Sequence, residues 1–146
     1  MTQCGGYDAV SARVFYSPAG APQLGEARAF VRDCAAACVG DGSPLVDDVE
    51  TMAGEILGNA VKYSASGRPN GSLGVRVVMS SGRLRVDVQD DGFAASIPHM
   101  KTPDLESLSG RGLRIVDALS ADWGADVGPE PQRRVTLWFE VKTSGV

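Results

Sequence analysis

Residues 55–64 of this chain read EILGNAVKYS, and they predict a helix with two chemically different faces. Glu55, Asn59 and Lys62 lie three or four residues apart and therefore share one face. We expect this helix, over residues 45–64, to pack on a sheet while it presents a carboxylate, a carboxamide and an ammonium together. Such a polar face is typical of a binding site and equally of a solvated helix surface. Its buried face is predicted from apolar residues at three- and four-residue spacing, namely Val49, Met52, Ala53, Ile56, Leu57 and Ala60.

Two glycines interrupt the predicted helix. Gly54 and Gly58 each make a helix interior about 1 kcal/mol less favourable than alanine would. We therefore expect either that a neighbouring group approaches the helix backbone closely at these positions or that the helix is weaker than its pattern implies.

The remaining elements follow from periodicity and from turn residues, and their order is β-α-α-β-β-α-β. This order predicts an α/β two-layer sandwich, in which a mixed, mostly antiparallel sheet carries three helices on one face. The four residues between the two middle strands predict an antiparallel hairpin. The predicted elements are strand 10–16, helices 23–39 and 45–64, loop 65–74, strands 75–79 and 84–89, a helix that opens at residue 113, a turn at 122–124, room for a strand near 125–127, and strand 134–141.

Length and charge limit the classes of function. A chain of 146 residues is expected to form a single domain, residues 1–146, with a core over about residues 10–142. The net charge of −4 is spread along the chain, which argues against a nucleic-acid-binding protein that uses a basic face. The chain has no apolar run of 18 residues and no signal-peptide pattern, so we expect a cytoplasmic protein without a membrane span.

The three cysteines form no zinc pattern. Cys34 and Cys38 lie four residues apart on the first predicted helix, but no further histidine or cysteine lies nearby to complete a metal site. We predict that the cysteines are small, buried, reduced thiols.

Three further features can carry chemistry. Residues 110–113 read GRGL and lead into a helix, whose first amides and positive dipole end favour an anion. Asp90 follows a strand and precedes Gly92, so it is either a buried acceptor for a donor such as an exocyclic amine or an ordinary turn residue. Asn59 offers an oxygen ligand that suits a hard cation such as Mg²⁺, and Glu55 can accept a proton.

Taken in order, these features resemble the GHKL, or Bergerat-fold, ATP-binding family. Residues 55–60 resemble the N box of that family, residues 90–92 its G1 box and residues 110–113 its G2 box. Residues 122–124 and 135–138 are further similar to the stand-alone RsbW-like anti-sigma-factor kinases of actinobacteria.

The resemblance implies a role for each matched residue. Glu55 would be the general base that activates a hydroxyl or water, Asn59 would bind the Mg²⁺ that bridges the ATP phosphates, and Asp90 would hold the adenine amino group. The other implied contacts are Gly92 beneath the base, Thr136 through a water, Lys62 towards a phosphate, and Gly110, Arg111, Gly112 and Leu113 around the phosphates, with residues 94–109 as the ATP lid.

The chain departs from the family pattern at two positions. Ala94 stands where the G1 box has its second glycine, and Ser109 precedes Gly110, which makes the G2 box the shorter form. Both departures concern the affinity for nucleotide, so the sequence leaves open whether kinase activity is retained.

The function that the resemblance implies is that of an ATP-binding anti-sigma factor and protein serine/threonine kinase. It would bind a sigma factor in one state and phosphorylate a STAS-type anti-sigma-factor antagonist in another, and it would form a homodimer through the first strand or the first helix. The alternative is a nucleotide-dependent regulatory binding module with no useful kinase activity. A third reading is an ATP hydrolase without a protein acceptor.

Overall fold

The computed structural model of the protein describes residues 9–17, 23–62, 71–90, 113–129 and 134–143, except for the side chains of Tyr16, Ser17 and Lys62. These residues form three helices and five strands. In chain order they are β1 (Ala9–Ser17), α1 (Leu24–Val39), α2 (Pro44–Lys62), β2 (Gly71–Ser80), β3 (Arg83–Gln89), α3 (Arg114–Leu119), β4 (Asp122–Val127) and β5 (Val135–Lys142).

The five strands form one sheet in the order β1-β2-β3-β5-β4, and every neighbouring pair is antiparallel. Helix α2 packs on β3 and β5, and α1 packs on α2 and on the β1–β2 side of the sheet. The predicted α/β sandwich with its helices on one face is confirmed. The described sheet is antiparallel throughout, whereas a mixed sheet was expected.

The apolar stripe of α2 forms the centre of the core, as its spacing predicts. All six side chains of the stripe are at most 3% exposed: Val49, Met52, Ala53, Ile56, Leu57 and Ala60. From α1, the buried side chains of Ala27, Val31 and Ala35 lie against the same core.

Ion pairs join the two long helices outside the core. The Arg32 guanidinium donates to Asp47 at 2.8 Å and to Glu50 at 2.7 Å. Arg28 lies over Gly54, where an added Cβ would come within 3.5 Å of the Arg28 Cδ. A side chain at Gly54 would therefore make ordinary van der Waals contact with Arg28, so a neighbour is present there without requiring glycine.

At Gly58 no neighbouring group approaches the helix closely in the part of the chain that the structure describes, which leaves the alternative of a weaker helix. An added Cβ at Gly58 would meet no atom within 4 Å. Gly58 therefore leaves open space beside the polar face of α2, and packing between described elements does not explain it.

The hairpin forms as predicted, but its first strand is longer. β2 and β3 pair up to Ser80 and Arg83, and the two-residue turn between them uses Gly82 at a φ of 76°. β2 begins at Gly71, so the prediction of a loop over residues 65–74 is wrong from residue 71 onward. The physical reason is pairing with β1, since Ser17 lies opposite Gly71 at the far end of the ladder.

Strand β4 likewise begins earlier than expected. A turn was predicted at residues 122–124, but β4 starts at Asp122 and pairs along its whole length with β5. The Trp123 indole N–H donates to Asp117 Oδ1 at 2.9 Å, which ties β4 to α3. Long-range pairing has therefore overridden local turn preference.

The face of the sheet that points away from α1 and α2, here called the open face, is polar at its centre. Asp87 is buried on this face, where it accepts hydrogen bonds from Arg76 at 2.9 and 2.7 Å and from Arg85 at 2.7 Å. Val10 and Val14 of β1 also lie on the open face and are 58% and 49% exposed, because the buried face of β1 is the one that carries Phe15.

The cysteines differ from one another. Cys34 is a free thiol, half-buried in α1. Cys38 is disulfide-bonded, with its partner outside the described residues. The prediction of reduced thiols is therefore wrong for Cys38, because cysteine spacing along a chain does not show which sulfurs the fold brings together.

The sequence predicts no membrane-spanning segment, and the structure describes three helices. None of them combines the length and the apolar character that a membrane-spanning helix needs.

Candidate functional site on α2 and at the end of β3

The polar face of α2 holds Glu55 and Asn59 one turn apart. The side chain of Asn59 is almost fully buried, at 6% exposure, whereas Glu55 is half-buried. Asn59 Nδ2 donates to the backbone carbonyl of Glu55 at 2.8 Å, and this bond fixes the orientation of the amide. Asn59 Oδ1 is buried and has no hydrogen-bond partner among the residues that the structure describes.

An unpartnered buried oxygen is uncommon, since leaving it so destabilises a fold by about 1–3 kcal/mol. The carbonyl oxygen of a carboxamide is also a ligand that Mg²⁺ accepts, and Mg²⁺ keeps most of its ligands as waters or phosphate oxygens. Asn59 Oδ1 therefore fits a ligand to a bound cation, and it is a group that sequence alone could name but not show to be unsatisfied.

Asp90 lies immediately after β3 and is 8% exposed. Two hydrogen bonds join it to Val135 at the start of β5. The Asp90 N–H donates to the Val135 carbonyl at 3.0 Å, and the Val135 N–H donates to Asp90 Oδ1, also at 3.0 Å. The carboxylate is thus held in one orientation by the backbone of the neighbouring strand.

The elements that carry these groups pack together. Helix α2 contacts β3, β5 and α3, so Asn59 and Asp90 belong to elements on the same, helix-covered side of the domain.

Leu113, the residue before α3, is 1% exposed and its carbonyl accepts a hydrogen bond from the Asp117 N–H at 2.9 Å. Leu113 is therefore a core residue that anchors the start of α3.

Thr136 lies on the opposite face of the sheet from Asn59. Because side chains alternate along β5, Thr136 faces the open side of the sheet between the buried residues Val135 and Leu137. Its hydroxyl is 3.5 Å from Gln89 Nε2, and both side chains line a shallow depression on the open face. The structure does not bring Thr136 together with Asn59.

Val135 is the β5 residue that contacts Asp90, and sequence reasoning missed it. The signal was present, because Val135, Leu137, Phe139 and Val141 form the apolar set of an alternating strand. That alternation places Val135 on the helix side and Thr136 on the other.

Several predicted site residues lie outside the described part of the chain. These are Gly92, Gly110, Arg111, Gly112, the lid over residues 94–109 and the side chain of Lys62. Their roles stay predictions.

The described groups have complementary chemistry. A half-buried carboxylate at Glu55 can accept a proton, and the oxygen of Asn59 lies one helical turn further along the same face. The fixed carboxylate of Asp90 can receive a hydrogen bond from an amine. A ligand with an amine at one end and metal-bound anionic groups at the other end matches this set.

Comparison with known families agrees with that description. A family model described as a histidine kinase-like ATPase domain matches residues 17–138, which is most of the chain. No individual curated protein gives a significant match. Because the family model spans every described element from α1 to β4 and half of β5, the chain belongs to the histidine kinase-like ATPase family of the GHKL superfamily and is an ATP-binding domain of the kinase and ATPase type.

Proposed function

We propose that the protein is an anti-sigma factor and a protein serine/threonine kinase that uses ATP to phosphorylate a STAS-type antagonist. The observation that carries this proposal is the unpartnered buried Asn59 Oδ1 on the same helix face as Glu55. Together they supply a cation ligand and a proton acceptor one turn apart, which is what phosphoryl transfer to a hydroxyl needs.

In the proposed reaction the oxygen of a serine or threonine hydroxyl attacks the γ-phosphorus of ATP. A new P–O bond forms, the bond from the γ-phosphorus to the β,γ-bridging oxygen breaks, and ADP leaves with that electron pair. The hydroxyl proton passes to the carboxylate of Glu55. Helix α2 holds this carboxylate half-buried, so it is still accessible to a substrate.

The other roles follow from the chemistry of each group. Asn59 would hold a Mg²⁺ ion through Oδ1. When bound, that ion would neutralise charge on the phosphates. Asp90 would accept a hydrogen bond from the adenine amino group, and its link to Val135 orients the carboxylate before the base arrives. Positioning and charge neutralisation would then contribute most of the rate.

The test is a transfer assay with γ-labelled ATP, Mg²⁺ and purified STAS-domain proteins. We expect acid-stable, base-labile label on a serine or threonine of one of them. Glu55→Gln should abolish the transfer while ATP-dependent thermal stabilisation is kept, because the general base is lost and the binding groups remain. Glu26→Gln, at an exposed acid in the first turn of α1, is the matched control and should transfer normally.

The outcomes separate the competing functions. Transfer at the wild-type rate by Glu55→Gln would remove Glu55 from the mechanism. ATP-dependent binding of a sigma factor or STAS protein without any phosphate on the partner would support the binding-module alternative. Steady release of phosphate without a protein acceptor would indicate an ATP hydrolase.

A further inference from the structure

We propose that β4 is a docking edge for a different protein, an extended segment of which pairs antiparallel with β4 as a further strand of the sheet. That segment alternates basic and apolar side chains, and its basic side chains lie opposite Asp122 and Asp126. Addition of a strand to a sheet edge is a recurring mode of peptide recognition, in which backbone hydrogen bonds give affinity and alternate side chains give specificity. The inference does not rest on the proposed function.

The outer edge of β4 has backbone groups to offer. β4 is a terminal strand of the described sheet, so it pairs with β5 on one side only. In an antiparallel pair, alternate residues exchange hydrogen bonds with the neighbouring strand, and the residues between them point their N–H and C=O groups away. The Gly128 N–H donates to the Arg134 carbonyl at 2.7 Å, so Gly128 is bonded to the neighbouring chain segment. Val127 and Ala125, one and three residues earlier, therefore point their backbone groups outward.

The hydrogen bonds of β5 agree with this assignment. Val135 lies opposite Val127 in the register, but its N–H and C=O groups bond to Asp90, on the other side of β5. The backbone groups of Val127 are thus not used by β5. No described residue bonds to the outward groups of Ala125 and Val127, so both residues keep a donor and an acceptor that a further strand can pair with.

The open face of this edge is acidic. Asp122 and Asp126 are exposed, and they lie two residues to either side of Gly124. Neither aspartate forms an ion pair with another described residue. Asp122 Oδ1 accepts a hydrogen bond from the Trp123 N–H at 2.9 Å, which holds that carboxylate beside the backbone of the edge. Basic side chains of an added strand would therefore meet two carboxylates that have no other cation.

The helix-covered face of the same edge is apolar. Trp123 and Ala125 pack partly against the core, and Val127 is 41% exposed. Apolar side chains of an added strand would extend this layer and cover Val127. The two faces together fix the register, because a shift of one residue would move the basic side chains of the segment onto the apolar face.

A second copy of this chain does not fit the β4 edge. Pairing of two β4 strands about Gly124 would place Asp122 of one copy opposite Asp126 of the other. Like charges directly opposite each other are destabilising, and charged side chains are a common means of protecting a sheet edge against its own kind. The same two charges favour a strand with basic residues at those positions, so the occupant is a basic segment of another protein.

The first test uses a synthetic peptide with lysine at its second and sixth positions, threonine at the fourth and valine at the other four. Fluorescence anisotropy of the labelled peptide measures its binding to the full chain at low salt. We expect saturable binding, which Asp122→Asn with Asp126→Asn weakens by about tenfold, because two ion pairs are lost. An asparagine at position 122 can still accept from the Trp123 N–H, so the edge keeps its local structure. Asp33→Asn with Asp41→Asn removes two exposed acids elsewhere and should bind like wild type.

The second test separates strand pairing from charge attraction alone. In the proposed register the threonine lies opposite Gly124, and the valines on either side of it turn their N–H groups towards β4. N-methylation of these two valines should weaken binding by about tenfold or more, whereas N-methylation of the threonine, whose N–H points away, should leave binding nearly unchanged. By NMR, the amides of Ala125 and Val127 should exchange more slowly with solvent when the peptide is bound, and the amides of β1 should not.

Four results would overturn the proposal. They are no binding at millimolar peptide, equal binding by the two double-asparagine variants, equal loss on methylation of the threonine and of the valines, and slowed exchange at β1 in place of β4. Circular dichroism and a thermal melt of each variant show whether it is folded, so that lost binding is read only from folded chains.

Discussion

The indole of Trp138 lies against the Cα of Gly124 on the neighbouring strand, so closely that a Cβ at Gly124 would come within 2.8 Å of Trp138 Cζ2. On its other side, the Arg85 guanidinium lies 4.3 Å from the centre of the Trp138 ring. The tryptophan is therefore held between a bare backbone and a cation on the open face. Gly124 is required here for space.

Gly124→Ala should destabilise the fold by about 1–3 kcal/mol, because the added methyl forces Trp138 or the β4 backbone to move. Urea unfolding measures the change. Gly58→Ala is the matched control, since a Cβ there meets nothing within 4 Å, and it should stabilise the helix by about 0.5–1 kcal/mol.

A double-mutant cycle checks the cause of the Gly124→Ala effect. In a Trp138→Leu background, Gly124→Ala should cost clearly less than in wild type, because the indole that it collides with is gone. An unchanged cost would mean that the loss arises from the β4 backbone itself.

Asn59→Leu should separate stability from ligand binding. The substitution removes an oxygen that has no partner among the described residues and one hydrogen bond to Glu55, so the free energy of unfolding without ligand should change by no more than about 1 kcal/mol. Thermal stabilisation by Mg²⁺ with ATP should be lost, because the cation ligand is gone. Gln89→Leu, at an exposed amide on the open face, should keep that stabilisation. Undiminished Mg²⁺-dependent stabilisation of Asn59→Leu would exclude Asn59 as the ligand.

Asp90→Asn should preserve the fold but lose the ability to bind adenine nucleotides. An asparagine oxygen can still accept the hydrogen bond from the Val135 N–H, so the hydrogen bond between residue 90 and the start of β5 is kept. The amide nitrogen, however, opposes the amino group of adenine. Wild type at a ligand concentration of 100 times Kd should gain about 2.7 kcal/mol, a shift of several degrees, which the variant lacks.

Asp126→Asn, at an exposed aspartate of β4, controls for the loss of one charge in that experiment. The assignment of Asp90 as the hydrogen-bond acceptor for the adenine amino group would be withdrawn if Asp90→Asn and Asp126→Asn were stabilised equally by ATP.

The thiol of Cys34 should react slowly with iodoacetamide. Burial raises the pKa of Cys34, and only the thiolate is alkylated, so at about pH 8 the folded chain should label more slowly than the chain in urea. Because the folded state binds this proton more tightly, its contribution to stability is present below the unfolded-state pKa and is lost as pH rises through the folded-state pKa. Mass spectrometry measures the labelling, and Cys34→Ser identifies the labelled site. Equal rates in the two states would contradict the prediction.

Periodicity was enough to predict the core of this fold. The stripe of α2 and the β2–β3 hairpin depend on local patterns, which tertiary packing reinforced, and the position of Asp90 at a strand end followed from them. The ends of β2 and β4 could not be predicted in that way. Gly71 and Asp122 are turn-favouring residues that become strand residues only because β1 and β5 lie beside them.

In the candidate site, too, some features could be predicted from local patterns and others depend on tertiary packing. The residue types Glu55, Asn59 and Asp90 could be named from spacing, but the unpartnered state of Asn59 Oδ1 depends on what packs around it. The face of Thr136 was predictable from alternation along β5, whereas its place among the site residues was implied only by the family resemblance.

The two hydrogen bonds between Asp90 and Val135 also determine when that carboxylate loses its conformational freedom. A mobile side chain that becomes fixed on meeting a ligand loses about 0.5–1.5 kcal/mol in rotamer entropy. Asp90 undergoes this loss while the sheet forms, so the ligand meets an acceptor that is already as rigid as the strand beside it. Selectivity for a donor at this position is therefore a property of the folded chain before any ligand arrives.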